Sequence, residues 1–254
     1  MCAECVGAAE TPRCWRCNAA GHPIPWEDTT RGRVKAFGAT VRALIAPDRF
    51  FANAPWTGGL KGPLYFAVCA SFFGAFGKTG FALVSYLALG KVGRPLLDWF
   101  VRELSTAGAL RGEQRRLVES LPGHIDMLNA MMLQIQLSEL SLNPLQTILE
   151  LFVLAALTYP IARHYGGQGT FEGTFRVIAY AKGAQVASAI PGMGGALAFL
   201  WGVVLVVVGM RRAHGLPGGK AFIVAVWWFP FAAIAFLLMM AWMISVAGDL
   251  MLGR

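Results

Sequence analysis

Cys2, Cys5, Cys14 and Cys17 form a Cys-x2-Cys-x8-Cys-x2-Cys pattern at the start of the chain. A Cys-x-x-Cys turn holds two thiolates on one side of a tetrahedral ion, and two such turns close a four-thiolate zinc site of the structural kind, with no open coordination position. Metal binding supplies the folding free energy of so small a loop, so the site needs almost no core of its own. A redox dithiol pair is the competing reading of the same spacing. Trp15 and Arg16, between the second pair of ligands, are the candidate contacts for a docked protein; Trp15 also suits the role of shielding the metal. His22 reads as a loop residue rather than a fifth ligand.

Three further ionisable residues, Lys78, Glu150 and Lys182, stand inside apolar runs. Burying an uncompensated charge in a bilayer costs at least roughly 2.5 to 3.5 kcal/mol, so each needs a partner or a route to water. Counted along their helices, Lys78 lies roughly 22 Å into the first run and Glu150 roughly 9 Å from the outer end of the second. Both then fall in the outer third of the hydrocarbon core, where a Lys78 to Glu150 pair is geometrically allowed. Lys182, two turns from the cytoplasmic end of its run, snorkels instead. The structural reading is one ion pair and one snorkelled lysine. The sharper alternative is a polar pathway for an ion or small solute, that is, a transporter or channel using Lys78 and Glu150.

The elements that carry these residues belong to a membrane protein. Of 254 residues, 56% are apolar and only 14% charged, against roughly 25% charged in a soluble domain. The net charge of +8 comes from Lys and Arg in short stretches flanking apolar runs. That distribution marks topology signals and contact with anionic headgroups rather than a nucleic-acid interface. Residues 1–30 hold no apolar run of the secretory kind, which predicts a retained, unexported N-terminus. Five segments are long enough to span, at about 63 to 89, 144 to 163, 174 to 190, 193 to 210 and 221 to 247. Pro230 marks a kink in the last.

Three domains are expected: a four-cysteine segment and linker at 1–30, with "GHPIPWEDTTRG" as the linker; an amphipathic juxtamembrane helix within 31–62; and a five-helix transmembrane bundle at 63–254. In the second, Val34, Phe37, Val41, Leu44 and Ile45 recur at helical spacing, which suits either a helix lying on the membrane surface or one packed on the bundle. The loop at 91–143 is helical in pattern, with Leu97, Phe100, Val101 and Leu104 on one face and Met127, Met131, Met132 and Ile135 repeating further on. A pair of helices on the outer membrane surface is the favoured reading, and a Met-rich partner surface the other.

Positive charges set the orientation. With the N-terminus inside, the inner segments carry Arg31, Arg33, Lys35, Arg42, Arg49, Lys61, Arg163, Arg176, Arg211, Arg212 and Lys220, and the hairpin "IPGMGG" outside carries none. Five spans then leave the C-terminus extracytoplasmic, and a reducing cytoplasm keeps thiolates available for metal. His124, His164 and His214 fall in three different loops, and no Gly-x-Ser-x-Gly, His-Glu-x-x-His or P-loop occurs, so a non-enzyme is expected.

Three stretches carry a family resemblance: "APDRFFANAPWTGGLKGPLYFA", "YGGQGTFEGTFRVIAYAKGAQVASAIPGMGG" and "WGVVLVVVGMRRAHGLPGGKAFIVAV". Across about residues 40 to 247 the chain resembles the Yip domain family of Ypt-interacting membrane proteins. The resemblance implies a cytoplasmic N-terminus and five spans. Eukaryotic relatives act in vesicle traffic, bind prenylated Rab-type GTPases or shape membranes through homotypic contacts. Bacterial relatives resemble this chain in placing a four-cysteine, zinc-ribbon-like segment before the membrane domain. The expectation is a scaffold or adaptor in a bacterial inner membrane, carrying structural Zn2+, contacting the lipid bilayer, a cytoplasmic protein partner and further copies of itself.

Overall fold

The computed structural model describes residues 24–28, 30–88, 93–106 and 112–252. The four-cysteine segment, with Cys2, Cys5, Cys14, Trp15, Arg16 and Cys17, lies outside the described residues. Among the described residues every regular element is helical. Two short helices, α1 (Arg33–Ala43) and α2 (Pro47–Asn53), precede the long α3 (Lys61–Ala88). After α4 (Arg94–Thr106) comes α5 (Glu113–His164), then α6 (Phe171–Ala181), which continues as a 3-10 segment (Lys182–Ala189). The chain closes with α7 (Gly194–His214), α8 (Gly218–Val226) and α9 (Phe229–Leu252).

Side chains are distributed inside out relative to a soluble protein. The interior is built largely from small residues, among them Ala67, Ala70, Ala155, Ala162, Ala179, Ala184, Ala213 and Ala221. Outward stand Phe72, Phe73 and Phe76 on α3, Phe152 and Val153 on α5, Phe199 and Leu200 on α7, and Leu237, Leu238 and Trp242 on α9. Water would not tolerate so large an apolar exterior, whereas lipid does. Small residues at the helix contacts let backbones approach, which is how helices associate when the solvent is itself apolar.

Among the described residues three helices are long and apolar enough to cross a membrane: α3, α5 from Asn129 to His164, and α7. The first and third match the runs expected at 63 to 89 and 193 to 210. The other expected spans take different forms. Residues 174–190 are an α-helix that tightens into the 3-10 segment and is walled in, with Phe175, Val177, Ala179 and Tyr180 all buried. The run expected at 221–247 is divided at Trp227 and Trp228, between α8 and α9. The indole of Trp227 donates to Thr158 Oγ1 (3.1 Å) and that of Trp228 to the Ala225 carbonyl (3.1 Å). Pro230 stands in the first turn of α9, where a missing N–H costs nothing.

The region expected as a separate loop is not separate. α5 passes without interruption from Glu113 through Pro144 to His164, so its first half is the extension of a span rather than one of two surface helices. α4 packs on α5, and its Leu97, Val101 and Leu104 are half-buried, while Phe100 and the row Met127, Met131, Met132 and Ile135 face outward.

The amphipathic α1 packs on the bundle. Phe37, Val41 and Leu44 turn to the core with Ala36 and Thr40, and Val34 and Ile45 face outward. Two residues of the segment read as a linker join the core as well: Ile24 is 3% and Trp26 7% exposed.

Two glycines let α3 approach the 3-10 segment closely. A Cβ on Gly74 would overlap the Gln185 carbonyl oxygen, and one on Gly77 would overlap the Ala189 Cβ. Because the obstacle at Gly74 is backbone, the 3-10 segment must move if a methyl is added. Gly74→Ala is expected to destabilise by about 1 to 3 kcal/mol through overpacking, read as a lower thermal midpoint in detergent. Gly80, with open space around its Cβ position, is the control: Gly80→Ala should leave the midpoint unchanged or raise it.

Candidate functional site

Two polar clusters interrupt the apolar interior, one on α6 and the other beside the 3-10 segment that continues it. The first is built on α6. Thr170 caps that helix by accepting the Gly173 N–H on Oγ1 (3.1 Å), and Glu172 sits in its first turn, where the helix dipole favours an acid. One turn on, Arg176 is 1% exposed. Its Nη2 donates to both carboxylate oxygens of Glu27, at 2.6 and 2.7 Å, and its Nη1 donates to the Gly59 carbonyl at 3.0 Å. Tyr180, four residues later on the same face, donates its hydroxyl to Glu27 Oε1 at 2.6 Å. The Gly59 N–H donates to Glu172 Oε1 at 2.6 Å, closing the ring of contacts.

Trp26 locks the neighbouring residue. Its indole donates to the Gly62 carbonyl (2.8 Å) at the start of α3, and its ring packs edge-on against Phe37 and Phe66. Arg33 lies over the same ring, 5.4 Å from its centroid, in cation–π geometry. Residues 24–28 are thus a strap across the end of the bundle, joining α1, α3 and α6. Both oxygens of the Glu27 carboxylate are taken up by these donors, so the cluster acts as a clamp.

Sequence reasoning missed this clamp. Arg176 was counted only as a topology charge. The available signal was an isolated Arg inside the apolar "GTFRVIAYA", which calls for a partner, with Tyr180 one turn beyond.

The second cluster corrects the expected pairing of charges. Lys78 does not pair with Glu150. Lys78 Nζ lies 2.7 Å from Glu139 Oε2, and Lys182 Nζ lies 2.6 Å from Glu150 Oε1, so Lys182 is paired rather than snorkelled. Glu139 and Glu150 are eleven residues apart on α5, three helical turns, which puts both on the face toward α3 and the 3-10 segment. Between the two pairs lies a cavity of about 470 Å3 lined by Ser71, Asn143, Gln146, Thr147 and Gln185, with Phe81 and Ile190 among its apolar residues.

The basic residues gather at the clamp end. Arg212 reaches Asp48 of α2 (3.1 Å), Lys220 donates to the Tyr165 carbonyl (3.2 Å) and Arg163 to the Gly167 carbonyl (3.1 Å). His214 ends α7 there as a buried residue, its Nε2 2.8 Å from Thr174 Oγ1, not in an open loop. Gly215 follows with φ +66°, the left-handed conformation that stops the helix at little cost. Among the described residues no group of three or more His, Cys, Asp and Glu is placed to hold a metal ion.

An apolar exterior, helix contacts built on small residues, and helices long and apolar enough to cross a bilayer define a helical membrane protein. The Yip1 domain model matches residues 41–241. The chain belongs to the Yip1 domain family. Comparison with curated proteins gives no match, and comparison with solved structures gives none either.

Proposed function

We propose that this protein is a non-enzymatic scaffold of a bacterial inner membrane, presenting a zinc-bound docking module at the cytoplasmic face of a five-span bundle. The observation that carries the reading is the strap. Residues 24–28 begin just after the four-cysteine segment and are fixed to α3 and α6 through Trp26 and Glu27. A partner held by that segment would therefore be brought to the end of the bundle that the strap covers.

The topology has separate support. α6 and the 3-10 segment together extend roughly 32 Å, enough for a buried crossing, and α9 extends roughly 36 Å. These make the fourth and fifth spans beside α3, α5 and α7. The end carrying Arg163, Arg212 and Lys220 faces the cytoplasm by the excess of positive charge, and the opposite turn at 190–193 is uncharged. The C-terminus is then extracytoplasmic.

Cys2, Cys5, Cys14 and Cys17 hold a structural Zn2+, and Trp15 and Arg16 supply contacts to a cytoplasmic protein. Four thiolates are a donor set suited to tetrahedral zinc. The transporter alternative, which used Lys78 and Glu150 together, loses its basis because each is neutralised by a different partner.

Elemental analysis of the purified protein tests the proposal. One zinc per chain is expected, with none in Cys14→Ser, Cys17→Ser, and with the thermal midpoint of the membrane domain unchanged. A partner recovered in parallel pulldowns should disappear with the zinc. Absence of metal from the wild-type protein overturns the docking module.

A further inference from the structure

The cavity between α3, α5 and the 3-10 segment contains more hydrogen-bonding capacity than the protein uses. Ser71 is 6% exposed and its Oγ has no partner. The Asn143 Oδ1 is buried and also unpartnered. Both line the cavity, as do Gln146, Thr147 and Gln185. Buried polar groups are almost always satisfied, so a roomy cavity with two unsatisfied acceptors or donors is built for an occupant that completes them. Its volume of about 470 Å3 lies within the range of small-molecule sites.

Charge decides the chemistry of that occupant. The walls hold two ammonium groups, Lys78 and Lys182, and two carboxylates, Glu139 and Glu150. An anion drawn to the lysines would strand the carboxylates, and a cation would strand the lysines. A zwitterion exchanges partner for partner: its anionic group accepts from a lysine while its ammonium donates to the carboxylate that lysine has released. The hydroxyl of Ser71 then donates to the anionic group, and the Asn143 carbonyl oxygen accepts from the ammonium.

We propose that this cavity binds a phosphoethanolamine group, the zwitterion that heads phosphatidylethanolamine. The site lies on spanning helices, and apolar Phe81 and Ile190, about half exposed at 48% and 51%, stand among its lining residues where acyl chains would lie. The same chemistry arises from a free phosphoethanolamine, and the experiment separates the two.

Purified full-length protein in detergent is titrated with phosphatidylethanolamine, phosphatidylglycerol and free phosphoethanolamine while the thermal midpoint is followed. A lipid ligand raises the midpoint with phosphatidylethanolamine alone, by about 5 °C at saturation. A free zwitterion as ligand raises it with phosphoethanolamine as well. Equal shifts with phosphatidylethanolamine and phosphatidylglycerol, or no shift with any of the three, overturn the proposal. Ser71→Ala removes a hydroxyl that no protein group uses, so the unliganded midpoint stays in place while the zwitterion binds about tenfold more weakly. Glu150→Gln should abolish the shift; where that variant does not fold, Ser71→Ala decides, and unchanged affinity in it refutes the site.

Discussion

Arg176→Met is expected to cost about 3 to 5 kcal/mol, the penalty for breaking a buried ion pair by removing one partner. Arg176 is 1% and Glu27 20% exposed. The change removes both bonds to Glu27 and the bond to the Gly59 carbonyl, leaving a carboxylate with only the Tyr180 hydroxyl. Arg176→Lys keeps the charge but not the fork that reaches Glu27 and Gly59 at once, so it should fall between wild type and Met. Glu27→Gln alone strands the guanidinium and should be comparably damaging. The double variant Glu27→Gln, Arg176→Met should be milder than the sum of the two single changes, since neither then leaves an unpaired charge. Thermal unfolding of the four detergent-solubilised proteins measures this directly. A double variant showing simple additivity would mean that the two residues act independently and that the strap is not held by their pairing.

The parts of this fold that could be read from sequence are those written in continuous composition. α3 and α7 are unbroken apolar runs, so length alone located them. The apolar pattern marks only the second half of α5, because Gln134, Gln136, Ser138, Glu139 and Ser141 break it before Pro144. The structure satisfies the serines within the helix and the acid across it: Ser138 donates to the Gln134 carbonyl and Ser141 to the Leu137 carbonyl, both at 2.9 Å, and Glu139 takes Lys78. Polarity that is paid back inside a helix does not end it, and composition cannot distinguish that case from a loop.

The error over Lys78 follows from the same boundary. With 91–143 assigned outside the membrane, Glu139 was not among the available partners, and Glu150 was the nearest acid. Once the helix is continuous, the three-turn spacing of Glu139 and Glu150 gives each lysine its own carboxylate. The burial of α6 was illegible for another reason. An apolar helix against lipid and one enclosed by other helices have the same composition, and only the lone Arg176 hinted that this one had polar neighbours. The clamp itself joins residues 149 positions apart, with Glu27 outside the stretch that matches the family and Arg176 inside it; no local pattern encodes such a contact.

The strap yields the second large effect. Trp26 fills a core position against Phe37 and Phe66 and hydrogen-bonds the first turn of α3, so Trp26→Ala should cost about 3 to 5 kcal/mol, a fall of roughly 10 °C or more in the thermal midpoint. Two deletions place that effect. Removing residues 1–23 leaves Ile24, Trp26 and Glu27 in position and should change the midpoint by no more than about 2 °C. Removing residues 1–32 takes the whole strap, strands Arg176 as Glu27→Gln does, and opens the Phe37 and Phe66 surface; that protein should aggregate on extraction or unfold far below wild type. The order matters as much as the sizes. If the shorter deletion already carried the full loss, the four-cysteine segment would be part of the folded core, and zinc would stabilise the bundle itself. If only the longer deletion does so, the strap is the boundary: the membrane domain ends at Ile24, and the segment before it is free to serve a partner.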